Sequence, residues 1–141
     1  MNKNGPIIVI EDDIDDQEML SGIFQKLAYE NKIHFFSEGE KALEFLNQYD
    51  VHPFLILSDI NMPKIDGFEL RKLVFNNERL TMKCIPYLFF TTGVSKKAVI
   101  EAYAMSVQGF FHKPASLLAL EGTIKKIIDY WQECFAPNHY E

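Results

Sequence analysis

The sequence of 141 residues is short of several things, and each shortage removes a class of function. Its two cysteines, Cys84 and Cys134, lie fifty residues apart, a separation that matches no metal motif and reads as two reduced thiols of a cytoplasmic protein. The four histidines, His34, His52, His112 and His139, show no ligand spacing, so zinc and copper chemistry is excluded. Bases are the minority, 14 against 20 acids for a net charge of −6, so no nucleic acid is expected as a partner. No apolar run approaches a membrane span. The opening "MNKNGPIIVIEDD" carries four apolar residues before acids interrupt it, too few for a signal peptide, and no membrane partner is expected. Repeats, low-complexity stretches and linkers are missing as well. One domain over residues 1–136 is therefore expected, followed by a loose tail over 137–141.

What is present is material for a core. Apolar residues make up 48% of the chain, with twelve Phe and six Tyr, which argues against disorder. Ile7 to Ile10, Ile33 to Phe36, Phe54 to Leu57, Tyr87 to Phe90 and Gly109 to Phe111 are apolar runs of strand length, the first of them entirely β-branched. Between the runs the apolar period changes to three and four, as in Met19, Leu20, Ile23, Phe24 and Leu27, or Leu117, Leu120, Ile124, Ile127, Ile128 and Trp131. Asp15 with Glu18 and Ser37 with Glu40 are spaced as capping boxes. Asp66-Gly67 before Glu69 turns the chain into a third helix that ends near Asn76-Asn77, and Ser95 caps a fourth whose stripe is the least clear. Five strands alternating with five helices predict an α/β fold, a five-stranded parallel sheet with helices on both faces.

Sheets of this kind bind ligands at the carboxyl ends of their strands. The residues just past the strands are Glu11 and Asp12, then Asp59, Thr91 and Lys113. Taken singly, each has an ordinary reading: a turn aspartate, a strand-end hydroxyl, a solvated amine. Asp15, Asp16 and Glu18 suit a helix N-terminus electrostatically, and Asp13 suits its cap, with the acidic pocket as its alternative. Taken together, three carboxylates brought to one edge oppose one another's ionisation unless a cation joins them. A hard, oxygen-preferring ion such as Mg²⁺ answers that need, and with Lys113 it would balance the charge. Asp59 would then be a nucleophile for phosphoryl transfer, with Lys113 and Thr91 on the phosphoryl oxygens.

At this point the chain resembles, over almost its full length, the receiver domain of two-component response regulators. The residues that carry the resemblance are "VIEDD" at 9–13, "LILSDINMPKIDGFEL" at 55–70, "FFTTG" at 89–93 and "FFHKP" at 110–114. The resemblance implies the flavodoxin-like strand order 2-1-3-4-5, known from flavodoxin and from the family's chemotaxis member. It implies that Glu11 and Asp12 bind Mg²⁺, with Glu where many members carry Asp, that Asp59 accepts the phosphoryl group, and that Asn61 adds a metal ligand through its backbone carbonyl. Thr91 would be the switch hydroxyl and Lys113 the family's lysine, with Lys113–Pro114 a cis peptide bond. Phe110 stands at the switch aromatic's position and, lacking a hydroxyl, can only pack inward or outward.

The resemblance further implies a stand-alone phosphoacceptor and no turnover enzyme beyond its own phosphorylation and dephosphorylation. A sensor histidine kinase or phosphotransfer protein would supply the group, and a noncovalent downstream protein, or a phosphorylation-linked homodimer, would read it. Two other uses of the fold fit less well. A magnesium-dependent phosphohydrolase usually needs a second acid two residues after the nucleophile, where this chain has Asn61. A nucleotide or flavin module needs a Gly-rich or hydroxyl-rich phosphate loop after the first strand, where this chain has "EDDIDD".

Overall fold

Ile7, Ile8, Val9 and Ile10 have no face that tolerates water, and the chain buries all four at the centre of a sheet. The computed structural model describes residues 1–137. The strands are β1 (Ile7–Ile10), β2 (Ile33–Phe36), β3 (Leu55–Ser58), β4 (Tyr87–Thr91) and β5 (Gly109–His112), all parallel and in the order β2-β1-β3-β4-β5. The helices are α1 (Ile14–Leu27), α2 (Gly39–Leu46), α3 (Gly67–Phe75), α4 (Glu78–Thr81), α5 (Lys96–Ala104) and α6 (Leu117–Glu133). Because side chains alternate across a strand, the sheet feeds two apolar layers. Ile7, Val9, Leu57 and Phe90 pack with Leu20 and Ile23 of α1 and Ile124 and Ile128 of α6. Ile8, Ile10, Ile56 and Phe89 pack with Ala42 of α2, Leu70 of α3 and Ala102 of α5.

The strand order and the parallel sheet agree with expectation; the helix count and two helix starts do not. Among the described residues there are six helices rather than five, because Asn77 does not merely follow a helix end. Its side chain accepts from the Leu80 N–H and starts the four-residue α4, and its amide donates to Asn47 Oδ1 at 3.0 Å. A single turn has no apolar period to betray it. The first helix is capped by Asp13, as that residue's favoured role implies, its Oδ1 accepting from the Asp16 N–H at 3.0 Å, while the box expected between Asp15 and Glu18 does not form. No Ser37–Glu40 box forms either. Glu38 holds the cap position of α2 without a side-chain bond, and Ser37 Oγ instead accepts from Gln17 Nε2. Asp66 and Ser95 cap α3 and α5 as expected. In α5 only Ala102 is fully buried, in keeping with its weak stripe. The expected tail lies, from residue 138 onward, outside the described residues. Among those described, no helix is long and apolar enough to cross a membrane.

At the opposite end of the sheet, one side chain gathers three loose carbonyls. The Lys83 ammonium donates to Leu46 O at 2.7 Å, Gln48 O at 3.1 Å and Val51 O at 2.8 Å, tying the segment that leads into β3 to the one that leaves α4. Carbonyls past a helix end need such partners or water. Lys83→Met is therefore expected to lower the unfolding free energy by about 1–3 kcal/mol, read as a lower urea midpoint, and an unchanged midpoint would show that water replaces the ammonium without loss.

Candidate functional site

The sheet's hydrogen-bond ladder extends one residue past β1, β3 and β5, and this extension positions the polar groups. Glu11 N donates to Phe36 O and Asp59 N donates to Ile10 O, both at 2.9 Å, so the acids after β1 and β3 emerge side by side from adjacent strands. On the other side of β3, Lys113 N donates to Thr91 O at 2.8 Å, which points the lysine back across the same edge. The loop after β3 turns sharply: Gly67 N donates to Ile60 O at 2.7 Å, and a Cβ on Gly67 would stand 2.3 Å from Asp59 O. Glycine is required there by close approach of backbone to backbone.

Glu11, Asp12 and Asp59 each place a carboxylate oxygen within 4.8 Å of the other two. Glu11 is buried, Asp59 half-buried and Asp12 exposed, so the trio forms a wall, an edge and a mouth. The Lys113 side chain, only 8% exposed, donates to Glu11 Oε1, reaches Asp16 Oδ2 at 3.2 Å, and lies 3.8 Å from Asp59 Oδ2. Asp59 Oδ1 is occupied by the Ile60 N–H at 2.7 Å, which leaves Oδ2 turned toward the ammonium. Three carboxylates, those of Glu11, Asp16 and Asp59, thus surround one cation. Burial first, then the neighbouring Asp59 carboxylate, push the Glu11 carboxyl up to about 8 against the pull of Lys113. For Lys113, burial opposes the charge, but the hydrogen bond and attraction of Glu11, with Asp59 and Asp16 behind it, hold the ammonium above its ordinary range.

The pocket fits a divalent cation on this structure's own terms. Glu11 Oε2 is buried and has no hydrogen-bond partner. Three carboxylate oxygens within 4.8 Å of one another, one of them on an exposed side chain, form the hard oxygen donor set that Mg²⁺ prefers.

The remaining residues expected at the site are placed less closely. Thr91 is buried at the end of β4, and its link to the cluster runs through the backbone bond to Lys113. Asn61 is exposed in the loop after β3, with its amide nitrogen 3.5 Å from where a Cβ on Gly93 would be. Phe110 is half-buried, edge-on to Phe89 at 5.9 Å. The Lys113–Pro114 bond, expected cis, is trans like every peptide bond among the described residues; trans is the lower-energy isomer of an X–Pro bond. Asp16 is the member that sequence reasoning assigned elsewhere, to the helix N-terminus. Its distinguishing signal was its place four residues after Asp12, in a first turn whose side chains lean back toward the strand end.

The sequence profile of the response regulator receiver domain matches residues 7–125. The probable methanogenesis regulatory protein FilR2 of Methanothrix harundinacea is 29% identical over 129 residues, covering 89% of this chain and 82% of that protein. Response regulator Rcp1 of Synechocystis is 28% identical over 132 residues, covering 90% of this chain and 88% of Rcp1. A crystal structure of the Mn²⁺-bound form of Rcp1 superposes with a TM-score of 0.82 at 27% identity, covering 94% of this chain and 99% of that one. The phosphorylated cyanobacterial phytochrome response regulator RcpA shares the fold, with a TM-score of 0.85 at 24% identity, covering 95% of this chain and 99% of that one.

A carboxyl held near 8 rather than 4.5 stabilises the metal-free fold fully below pH 4.5, and that contribution is lost as pH rises through 8. A divalent cation must displace the Glu11 proton, so its affinity rises over the same window. Mg²⁺ is expected to bind roughly fifty-fold more weakly at pH 6 than at pH 8, measured as the Mg²⁺-dependent shift of the thermal midpoint. Equal shifts at the two pH values would show that Glu11 carries no proton to displace.

Proposed function

Because the chain belongs to the response regulator receiver domain family, a family of phosphoacceptor signalling domains, we propose that it receives a phosphoryl group on Asp59 and converts it into a change of binding surface. The observation that carries this reading is the buried Lys113 ammonium shared by carboxylates of the β1 and β3 ends, one of which, Glu11, keeps an unpartnered oxygen. Glu11, Asp12, Asp59 and the Asn61 carbonyl would hold Mg²⁺. When bound, that ion neutralises carboxylate charge and polarises a phosphoryl oxygen.

Asp59 is already oriented by the Ile60 N–H on Oδ1, so Oδ2 is the oxygen that attacks phosphorus. The new oxygen–phosphorus bond forms as the bond from phosphorus to the donor's imidazole nitrogen breaks; the electron pair stays on that nitrogen, which takes a proton from solvent. Lys113 and the Thr91 hydroxyl stabilise charge on the transferring oxygens. In the reverse sense, water attacks phosphorus, the bond to Asp59 breaks with its electrons returning to the carboxylate, and inorganic phosphate leaves. Movement of Thr91 toward the phosphoryl group would open space for Phe110, which packs on Phe89 beside α5.

The donor would be a sensor histidine kinase or a phosphotransfer protein. The surface that responds would be that of α5, β5 and α6, where Ile100 and Tyr103 are about three-fifths exposed and offer an apolar contact to a downstream protein or a second copy.

Incubation with Mg²⁺ and a small phosphodonor such as acetyl phosphate, followed by intact mass, is expected to add one phosphoryl group to the wild type and none to Asp59→Asn. An equal gain in both proteins would move the acceptor elsewhere. A Cβ at Gly93 would meet nothing closer than Asn61 Nδ2, so a longer side chain is accommodated at the mouth of the pocket. Gly93→Glu is expected to shield the phosphoryl group from water and lengthen its half-life several-fold, and an unchanged half-life would rule out shielding at this position.

A further inference from the structure

Lys113 is not centred on the proposed acceptor. Its ammonium lies within hydrogen-bond reach of Glu11 Oε1 and Asp16 Oδ2, both on the β1–α1 side of the pocket, whereas Asp59 Oδ2 stands off at 3.8 Å. Of the carboxylates around the ammonium, Glu11 and Asp59 belong to the trio suited to a cation; Asp16 does not. Asp16 is about one-third exposed, and its backbone N–H is fixed by the Asp13 cap, so its carboxylate projects from a rigid first turn of α1. Gln17, the next residue, braces the same turn by donating to Ser37 Oγ at 3.2 Å and to the Glu11 carbonyl.

Resting on the receiver reading above, we propose that Asp16 is a positioning residue that tethers the Lys113 ammonium to helix α1, away from Asp59, and so restrains how fast the phosphoryl group is accepted. Glu11 and Asp16 hold two of the ammonium's three N–H donors and keep it on the β1–α1 side, so the third can meet a phosphoryl oxygen on Asp59 only if the ammonium shifts against that hold. Glu11 can be compensated by the metal it would ligate, but Asp16 has no such replacement and remains the competitor. The charge of Asp16 is thus set against the transition state, where Lys113 is needed on the equatorial oxygens.

The test compares the rate of phosphorylation by acetyl phosphate and Mg²⁺, followed by intact mass, in wild type and in the Asp16→Asn, Asp16→Glu and Asp15→Asn variants. Asp15 is exposed on the same turn, and its substitution removes the same formal charge without touching Lys113. Asp16→Asn is expected to raise the rate about two- to fivefold, the range that one partly exposed ion pair supports. Asp16→Glu, which keeps the charge, should return it toward the wild-type value, and Asp15→Asn should leave it unchanged. Calorimetric Mg²⁺ affinity should stay within about twofold of wild type in Asp16→Asn, the shift expected of a carboxylate that is not a ligand. In a Lys113→Ala background, Asp16→Asn should have no further effect.

An Asp16→Asn rate equal to or below wild type overturns the proposal. So does an equal acceleration by Asp15→Asn, by Asp16→Asn without Lys113, or by Asp16→Glu, each of which would assign the effect to something other than the tether. A large loss of Mg²⁺ affinity overturns it too, by making Asp16 a metal ligand. Failure of the wild type to gain a phosphoryl group at all would instead sink the receiver reading on which the proposal stands.

Discussion

A single buried ammonium among more carboxylates than it can neutralise sets the character of this protein's carboxyl edge. Burying the Lys113 ammonium alone would cost several kcal/mol, and it is tolerated because the Glu11, Asp16 and Asp59 oxygens surround it. The pairing is incomplete by design of the surroundings: Asp16 and Asp59 add negative charge, and one Glu11 oxygen has no partner. The pocket therefore favours anything that supplies positive charge or takes up acceptors. A divalent cation would do the first.

The sheet makes this arrangement possible by putting β1 between β2 and β3, so that Glu11 and Asp59 leave neighbouring strands at the same height. Lys113 comes from β5, two strands away from β3, and reaches across the ends of β3 and β4 to the acids. The backbone under these groups is held by ladder bonds, and the close approach of Gly67 to the Asp59 carbonyl leaves the loop little freedom to drift. On the far side, α5 contributes one fully buried side chain to the core, and a helix so lightly anchored costs little to displace. Rigidity at the site and looseness at α5 are what a local chemical event needs if it is to change a distant surface.

Most of the fold and the core of the site were legible because they rest on patterns with a fixed period. Runs such as Ile7–Ile10 have no polar face, so they can only be interior strands. The motifs around Asp12, Asp59, Thr91 and Lys113 lie immediately after such runs, which locates them at one edge before any contact is known. Less was legible where several residues compete for one role. Asp13, Asp15, Ser37 and Glu38 all carry capping chemistry, and the winner depends on where the preceding strand releases the chain. The turn of α4 was hidden because Asn77 both follows one helix and begins the next. Asp16 looked like an acid favoured by a helix dipole, and it is one, but its reach to Lys113 appears only when α1 and β5 are brought together.

The sequence by itself determined which residues go inside, that strands and helices alternate, and which polar groups end each strand, since these follow from hydrophobic period and chain order alone. The tertiary structure decided how those groups share one another's charge. Whether Lys113 sits on Glu11, Asp16 or Asp59 depends on distances of about an ångström between segments roughly a hundred residues apart. Coulombic attraction and desolvation change steeply over such distances, and no spacing along the chain encodes them.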